Sequence, residues 1–222
     1  MTNNSGKPAV LFDLDGTLLD TAPDLGFALN SVLRRYDFPE KSADEIRPHA
    51  SHGSYGLLRL GFGDAFDSFD TQQLRQEFLD IYEAHTCVHT VLFPGVADTL
   101  ARLHEQGIKL AIVTNKPTLY TTLVLREFKP LADIDVVVCG DTLPVNKPHP
   151  DPLLLAAKQL EVAAQDCFYV GDAERDIEAG RRASMETILA AYGYLGDHDQ
   201  VHDWGADHRI ERFSEILQWY KN

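Results

Sequence analysis

Positive charge is scarce in this chain of 222 residues: 20 lysines and arginines stand against 34 aspartates and glutamates, a formal charge of −14. So acidic a surface argues against non-specific binding to nucleic acid or to anionic membranes, both of which require basic surface. It also means that any anionic ligand needs a locally positive pocket. Cysteine is scarce too. Cys87, Cys139 and Cys167 lie at wide, irregular spacing, which excludes a disulfide framework and fits reduced thiols in a cytoplasmic protein. No apolar run approaches the roughly 20 residues of a transmembrane helix. The opening MTNNSGKP lacks the charged-then-apolar order of a secretion signal and reads as a short frayed tail. Internal repeats and low-complexity tracts are missing as well. The hydrophobic content, 44%, is ordinary for a globular protein, and the length suits one large domain or a core carrying an insertion, as a monomer or homodimer.

The stretch VLFDLDGTLLD, residues 10–20, sets Asp13 and Asp15 one residue apart at the end of an apolar run. Ala9, Val10, Leu11 and Phe12 have the continuous hydrophobicity of a strand covered on both faces. Alternate residues of a strand point the same way, so the two carboxylates converge if the extended chain continues. Ionised carboxylates that close repel each other unless a cation or a shared proton compensates. An Asp-Gly turn would use the same residue types, so the pair alone does not separate a turn from a site.

Beyond about residue 93, strand-like and helix-like segments alternate. VADTLARLHEQG has helical spacing with Gly107 as its stop, KLAIVTN reads as a strand, TLYTTLVLREF as a helix and DVVVCGD as a strand. PDPLLLAAKQLEV opens with prolines suited to a first helical turn. CFYVGD, RDIEAGRRA and ETILAAY then read strand, helix, strand, and SEILQWY a terminal amphipathic helix. This alternation predicts an α/β fold, a doubly wound parallel sheet with helices on both faces. Residues 20–90 break the pattern with three helix-like segments and no convincing strand. The expected organisation is a core of residues 1–19 and 91–222, with a small α-helical cap, 20–90, inserted after the first strand.

Ligands of open α/β sheets bind beyond the carboxyl ends of the strands. Four groups fall at such places: Asp13 with Asp15, Thr114 with Asn115, Lys147 in the loop before HPDPLLLAA, and Asp172 with Asp176. Clustered carboxylates suit a hard divalent cation with oxygen ligands, which points to Mg²⁺.

In combination, DLDGT (13–17), VTN (113–115), NKPHPDP (146–152) and GDAERD (171–176) resemble the four motifs of the haloacid dehalogenase superfamily, in order and at the right strand ends. The position of the insertion and the KPHPDPLL stretch are similar to the phosphoglycolate phosphatase branch. CVHTVLFPG and YGYLGDHDQVHDWGAD resemble the branch that dephosphorylates N-acetylmuramic acid 6-phosphate. The resemblance implies a Rossmann-like core and hydrolysis of a small phosphorylated metabolite. It makes Asp13 the nucleophile, Asp15 the acid and then the base, and Thr114 and Lys147 the holders of the phosphoryl oxygens. Mg²⁺ is expected on the side chains of Asp13 and Asp172 and on the main-chain carbonyl of Asp15, with Asp176 orienting metal-bound water. Gly16, Thr17 and Asn115 are expected at the substrate, the main-chain N–H groups near Gly16 and Asn115 assisting.

Departures from the family pattern are Ala173, where a Ser or Thr is usual, and Ala183-Ser184, where Ala-Gly is usual and φ > 0 is wanted. In the cap, ASHGS (50–54) replaces a Gly-x-Gly element, and Arg47, His49, Ser51 and His52 form a polar cluster suited to a substrate carboxylate or sugar. His85, Cys87 and His89 have a zinc-like spacing but read as a polar hinge, because no fourth ligand is near. Tyr192 and Tyr194 read as packing, and Gly61-Phe62-Gly63 as a helix terminus. Three other activities stay in view. A phosphoryl-receiving signalling domain uses a similar sheet but carries its acceptor Asp after a middle strand and lacks a large insertion. A dehalogenase lacks the second Asp of the first motif. A phosphoglucomutase-like transfer shares the core residues.

Overall fold

The computed structural model describes residues 7–220 except residue 198; the tail read from MTNNSGKP lies, through Gly6, outside the described residues. Strands β1 (Ala9–Phe12), β2 (Leu19–Asp20), β3 (Val91–Leu92), β4 (Lys109–Val113), β5 (Val136–Val138), β6 (Cys167–Gly171), β7 (Glu186–Ala190) and β8 (His208–Ile210) alternate with helices α1 (Ala22–Arg35), α2 (Ala43–Ile46), α3 (Gly53–Phe62), α4 (Thr71–Ala84), α5 (Val96–Glu105), α6 (Thr118–Glu127), α7 (Asp151–Gln159) and α8 (Glu174–Arg182). Six strands form one parallel sheet in the order β5-β4-β1-β6-β7-β8. β1 lies between β4 and β6, Ala9 pairing with Lys109 on one side and Cys167 on the other. Every residue of β1 is fully buried, which is why the sequence there is apolar without alternation. The chain runs outward from β1 in both directions, so the crevice at its carboxyl end is the place where this fold class binds ligands.

The sheet has one strand more than the sequence pattern indicates. β8 is three residues long, too short to show a period. A second small sheet was also not predicted: β2 and β3 pair antiparallel, Leu19 with Leu92 and Asp20 with Val91. Between them the described chain is helical, α1 packing on α4 and α3. The single helix-like segment ADEIRPHASHGSYGLLRLGFG divides into α2, a 3₁₀ segment over Arg47–His52 and α3, broken at Gly53 with φ 68° and stopped at Gly63 with φ 56°. The terminal segment, read as an amphipathic helix, is a 3₁₀ helix over Phe213–Tyr220. Its buried residues Phe213, Ile216 and Trp219 recur every third position, which matches three residues per turn.

Ser184, where glycine is usual, sits at φ 60°. The hinge reading of HTCVH also describes what is found. The buried Asp24 carboxylate accepts from the His89 N–H at 2.9 Å, the Thr90 N–H at 2.9 Å and the Thr90 hydroxyl at 2.6 Å, fixing the return to the core. His85 stacks on Phe27, ring centroids 4.4 Å apart.

Candidate active site

Asp13 follows β1, Thr114 follows β4 and Asp172 follows β6. Because β4, β1 and β6 are neighbours, three separate stretches of sequence meet at one sheet edge. The Asp13 N–H still belongs to the sheet, donating to the Val170 carbonyl at 2.8 Å. Its carboxylate Oδ1 accepts from the Leu14 N–H at 2.8 Å and pairs with Lys147 Nζ at 2.8 Å, while Oδ2 has no hydrogen-bond partner among the described residues. Lys147 is buried and bridges two carboxylates, reaching Asp176 Oδ1 at 2.8 Å, and it also donates to the Val113 carbonyl and the Tyr169 hydroxyl. The Asn115 side chain grips the Lys147 backbone through both of its polar atoms, at 3.0 and 3.1 Å. The fourth motif thus delivers its aspartates, and the second motif positions the lysine of the third.

Asp13, Asp172 and Asp176 each offer an oxygen within 4.8 Å of the others', all buried. Burial pushes Asp172 up to about 7, with Asp176 and Asp13 adding to the rise. Burial likewise pushes Asp13 up to about 6 against the pull of Lys147. Asp176 goes the other way: Lys147 and Arg175 overcome burial and hold it below the ordinary carboxylate range. Asp172 Oδ2 accepts from the Tyr194 N–H at 2.9 Å and the Ser51 hydroxyl at 3.1 Å, but its Oδ1 is buried without a partner. Converging hard oxygens with an open acceptor are what a small divalent cation requires. The residues present fit such an ion.

Two glycines press on Asp172. A Cβ on Gly16, whose φ is 86°, would stand 2.1 Å from Asp172 Oδ2, and one on Gly193 would stand 2.4 Å from its Cβ. The Gly16 N–H, expected to face substrate, is taken by the Leu19 carbonyl at 2.9 Å. Thr17 is fully buried, its hydroxyl unpartnered, and it does not line the cleft. Tyr192 and Tyr194 do more than pack. The Tyr194 hydroxyl accepts from the Thr21 and Ala22 N–H groups at 2.6 and 3.0 Å, and Tyr192 donates to the Thr17 carbonyl at 2.8 Å. They tie the loop after β7 to the start of the helical insertion.

Asp15 stands apart from the buried triad. Its Oδ1 accepts from Thr21 Oγ1 at 2.6 Å and Lys116 Nζ at 2.8 Å, and its Oδ2 is unpartnered among the described residues. The Lys116 ammonium also lies 4.7 Å from the centre of the Tyr82 ring. Asp15 outweighs burial and raises the Lys116 pKa, so the lysine stays charged. Sequence reasoning missed Lys116. Its signal is a basic residue two positions beyond Thr114 at a strand end, in a chain short of bases. Arg175 was missed too: it lines the same cleft beside the triad and has no ion-pair partner among the described residues. In the sequence it looks like an exposed first-turn residue of α8.

The cleft above these groups has a volume of about 730 Å³ and runs between the sheet edge and the helices that follow β2, with Asp13, Asp15, Thr114, Asn115 and Lys116 on the sheet side. From the cap's polar cluster it takes Ser51 and His52. Arg47 lies outside it. That guanidinium pairs with Asp20 at 2.8 Å and stacks 5.2 Å from the Tyr194 ring centre. His49 bonds the Glu45 carbonyl at 3.0 Å and also stays out. Among the described residues no helix is long and apolar enough to cross a membrane.

Comparison with known proteins agrees with this geometry. A family model described as haloacid dehalogenase-like hydrolase matches residues 10–190. A phosphoglycolate phosphatase of Xanthomonas campestris is 44% identical over 211 residues, covering 95% of each chain. An N-acetylmuramic acid 6-phosphate phosphatase of Pseudomonas aeruginosa is 36% identical over 209 residues, covering 94% of this chain and 92% of the relative. The crystal structure of a predicted phosphoglycolate phosphatase from Haemophilus somnus superposes with a TM-score of 0.87 at 28% identity, covering all of both chains. The chain belongs to the haloacid dehalogenase-like hydrolases, among the phosphatases of that family.

Proposed function

We infer that the protein is a Mg²⁺-dependent phosphomonoesterase working through an aspartyl-phosphate on Asp13. The observation that carries this reading is the open Oδ2 of Asp13 beside a second, separately held carboxylate, Asp15, whose own Oδ2 is also open. Asp13 Oδ2 attacks phosphorus while the bond to the leaving oxygen breaks, and Asp15 gives that oxygen its proton. Asp15 then takes a proton from water as the water oxygen attacks phosphorus. The Asp13–phosphorus bond breaks, and inorganic phosphate leaves. Thr114 and Lys147 hold the phosphoryl oxygens, and Arg175 adds positive charge from the α8 side. Asp13, Asp172 and the main-chain carbonyl of Asp15 would hold a Mg²⁺ ion, with Asp176 orienting its water, and the ion would supply further positive charge against those oxygens. The local cations answer the difficulty that a −14 chain poses to an anionic substrate.

As for the leaving group, the relatives named for phosphoglycolate support 2-phosphoglycolate. The cleft of about 730 Å³ favours a second reading, N-acetylmuramic acid 6-phosphate, the substrate named for another relative. Both compounds are phosphate esters that also carry a carboxylic acid. Free cysteines at positions 87, 139 and 167 support work in the reducing cytoplasm.

The test is phosphate release from p-nitrophenyl phosphate and from both acids, with Mg²⁺, with chelator and after Mg²⁺ is restored. Activity is expected to vanish with chelator and return with Mg²⁺. Asp13→Asn is expected to form no acyl-phosphate. Undiminished hydrolysis in chelator, or a phosphorylated Asp13→Asn enzyme, would overturn the reading.

A further inference from the structure

The chain between β2 and β3 sends several polar side chains to the cleft, Ser51, His52, Tyr55 and Arg75 among them. Among the described residues only Ser51 of these hydrogen-bonds a member of the acidic triad. Its hydroxyl donates to Asp172 Oδ2 at 3.1 Å. The sequence sets Ser51 in a polar cluster suited to substrate, yet its hydroxyl is turned to a candidate metal ligand. The two oxygens of Asp172 are treated unequally. Oδ2 takes both donors, the Ser51 hydroxyl and the Tyr194 N–H at 2.9 Å, whereas Oδ1 is buried with no partner. A buried carboxylate oxygen left without a donor is costly unless a cation meets it.

The two donors on Oδ2 come from segments packed on each other. Ser51 belongs to the 3₁₀ turn Arg47–His52, and Tyr194 to the loop after β7. The Arg47 guanidinium lies 5.2 Å from the centre of the Tyr194 ring, and a Cβ on Gly196 would come 3.2 Å from Pro48 Cβ. Turn and loop must therefore stay together for Oδ2 to keep both bonds. Tyr194 contributes a backbone N–H from the sheet side, present whatever the helices do. Ser51 contributes a side-chain hydroxyl from the helical side, present only while that side rests on the sheet.

We propose that Ser51 is a positioning residue for the divalent ion: by holding Oδ2 it keeps Asp172 Oδ1 free for the metal, and so ties metal affinity to the seating of the helices on the sheet. The proposal deepens the reading of the triad as a Mg²⁺ site and rests on it. Coupling of this kind is reciprocal, so the bound ion also holds the 3₁₀ turn in place.

The test titrates Mg²⁺ by calorimetry into the metal-free protein, without substrate. Loss of a group that orients a metal ligand lowers affinity by about 10–100-fold. Because the Tyr194 N–H remains, Ser51→Ala is expected at the low end, with Kd raised about tenfold. Ser51→Thr, which keeps a hydroxyl, is expected to recover most of the affinity. Ser54→Ala alters another serine of the cleft, one with no bond to the triad, and is expected to match wild type. Amide hydrogen exchange gives a second readout: Mg²⁺ is expected to slow exchange over residues 47–52 in wild type and in Ser51→Thr, but not in Ser51→Ala. A Kd unchanged by Ser51→Ala overturns the proposal; water from the cavity of about 210 Å³ that Ser51, Asp172 and Tyr194 line would then serve Oδ2. Equal weakening by Ser51→Ala and Ser54→Ala overturns it too, since general loosening would be the cause. If the wild type itself takes up no Mg²⁺, the metal reading falls and the proposal with it. If the wild type binds and only the Ser51 effect is missing, the metal reading stands and Ser51 alone has been misassigned.

Discussion

Asp15 is held by one oxygen and free at the other, and that asymmetry is what a proton donor needs. Thr21 and Lys116 fix Oδ1, so rotation is blocked while Oδ2 stays able to carry a proton toward the leaving oxygen. Loss of a positioned acid lowers a rate by about 10²–10⁴-fold. Asp15→Asn is therefore expected to lose that much on an alkyl phosphate and much less on p-nitrophenyl phosphate, whose leaving group needs no proton. Lys116→Met is expected to show the same leaving-group bias with a smaller loss. Single-turnover rates with both esters decide the matter: equal losses would remove Asp15 from the role of acid. The neighbouring triad carries a different prediction. The Asp172 carboxyl is raised to about 7 by burial and by the facing carboxylates, so the folded chain holds a proton that the unfolded chain releases near pH 4. Stability from this group rises as pH falls from about 7 toward 4 and is lost as pH climbs through 7. In metal-free protein, Asp172→Asn is expected to raise the melting temperature near pH 7.5, with the gain shrinking near pH 5. A gain of the same size at both pH values would count against it.

Elements deliver these residues, and their lengths explain what could be read beforehand. Asp13, Thr114 and Asp172 were legible because each ends a strand of four or five apolar residues flanked by helix-like sequence. β2 and β3 have two residues each, which no periodicity can mark. Arg75 was not legible because α4 alternates charged and amide residues on its outer side, and a cleft-lining arginine looks the same as a solvated one. Ser184 was legible as a misfit and is found at φ 60°. The hinge between α4 and β3 rests on one carboxylate. Asp24 is 1% exposed and satisfies two N–H groups and one hydroxyl. Asp24→Ala leaves these donors unpaired in a buried place, which costs about 3 kcal/mol. At about 2–4 °C per kcal/mol for a chain of this size, thermal unfolding should begin markedly earlier. A melting temperature within a degree or so of wild type would show that water replaces the carboxylate.

At the scale of the whole molecule, charge is distributed unevenly. The acidic excess belongs to the chain as a whole, whereas Lys116, Arg175 and Arg75 line one cleft and the buried Lys147 pairs with Asp13 beside it. Three of these four were not assigned from sequence, because which cations meet depends on how insertion and sheet face each other. The predicted polar cluster shows the same limit. Its four residues are near neighbours in the chain, yet the 3₁₀ turn over Arg47–His52 sends Ser51 and His52 to the cleft and leaves Arg47 and His49 elsewhere. Asp13, Thr114 and Asp172 sit at strand ends, where strand order brings them together. The opposite side of the cleft is lined from helices, where side-chain direction decides which residues reach it.

The small ladder between β2 and β3 has a consequence for the history of such chains. By pairing Asp20 with Val91, it makes the two ends of some seventy intervening residues into neighbours, so that the sheet meets them as it would meet a hairpin loop. Closing a longer or shorter loop changes its entropy only by about 0.6 kcal/mol per doubling. The stretch between those two residues is thus free to grow, shrink or be exchanged wholesale by recombination, with Asp13, Thr114, Lys147 and Asp172 left in register. A cassette replaced at this one junction has only to supply again the hydroxyls that Thr21 gives to Asp15 and Ser51 to Asp172.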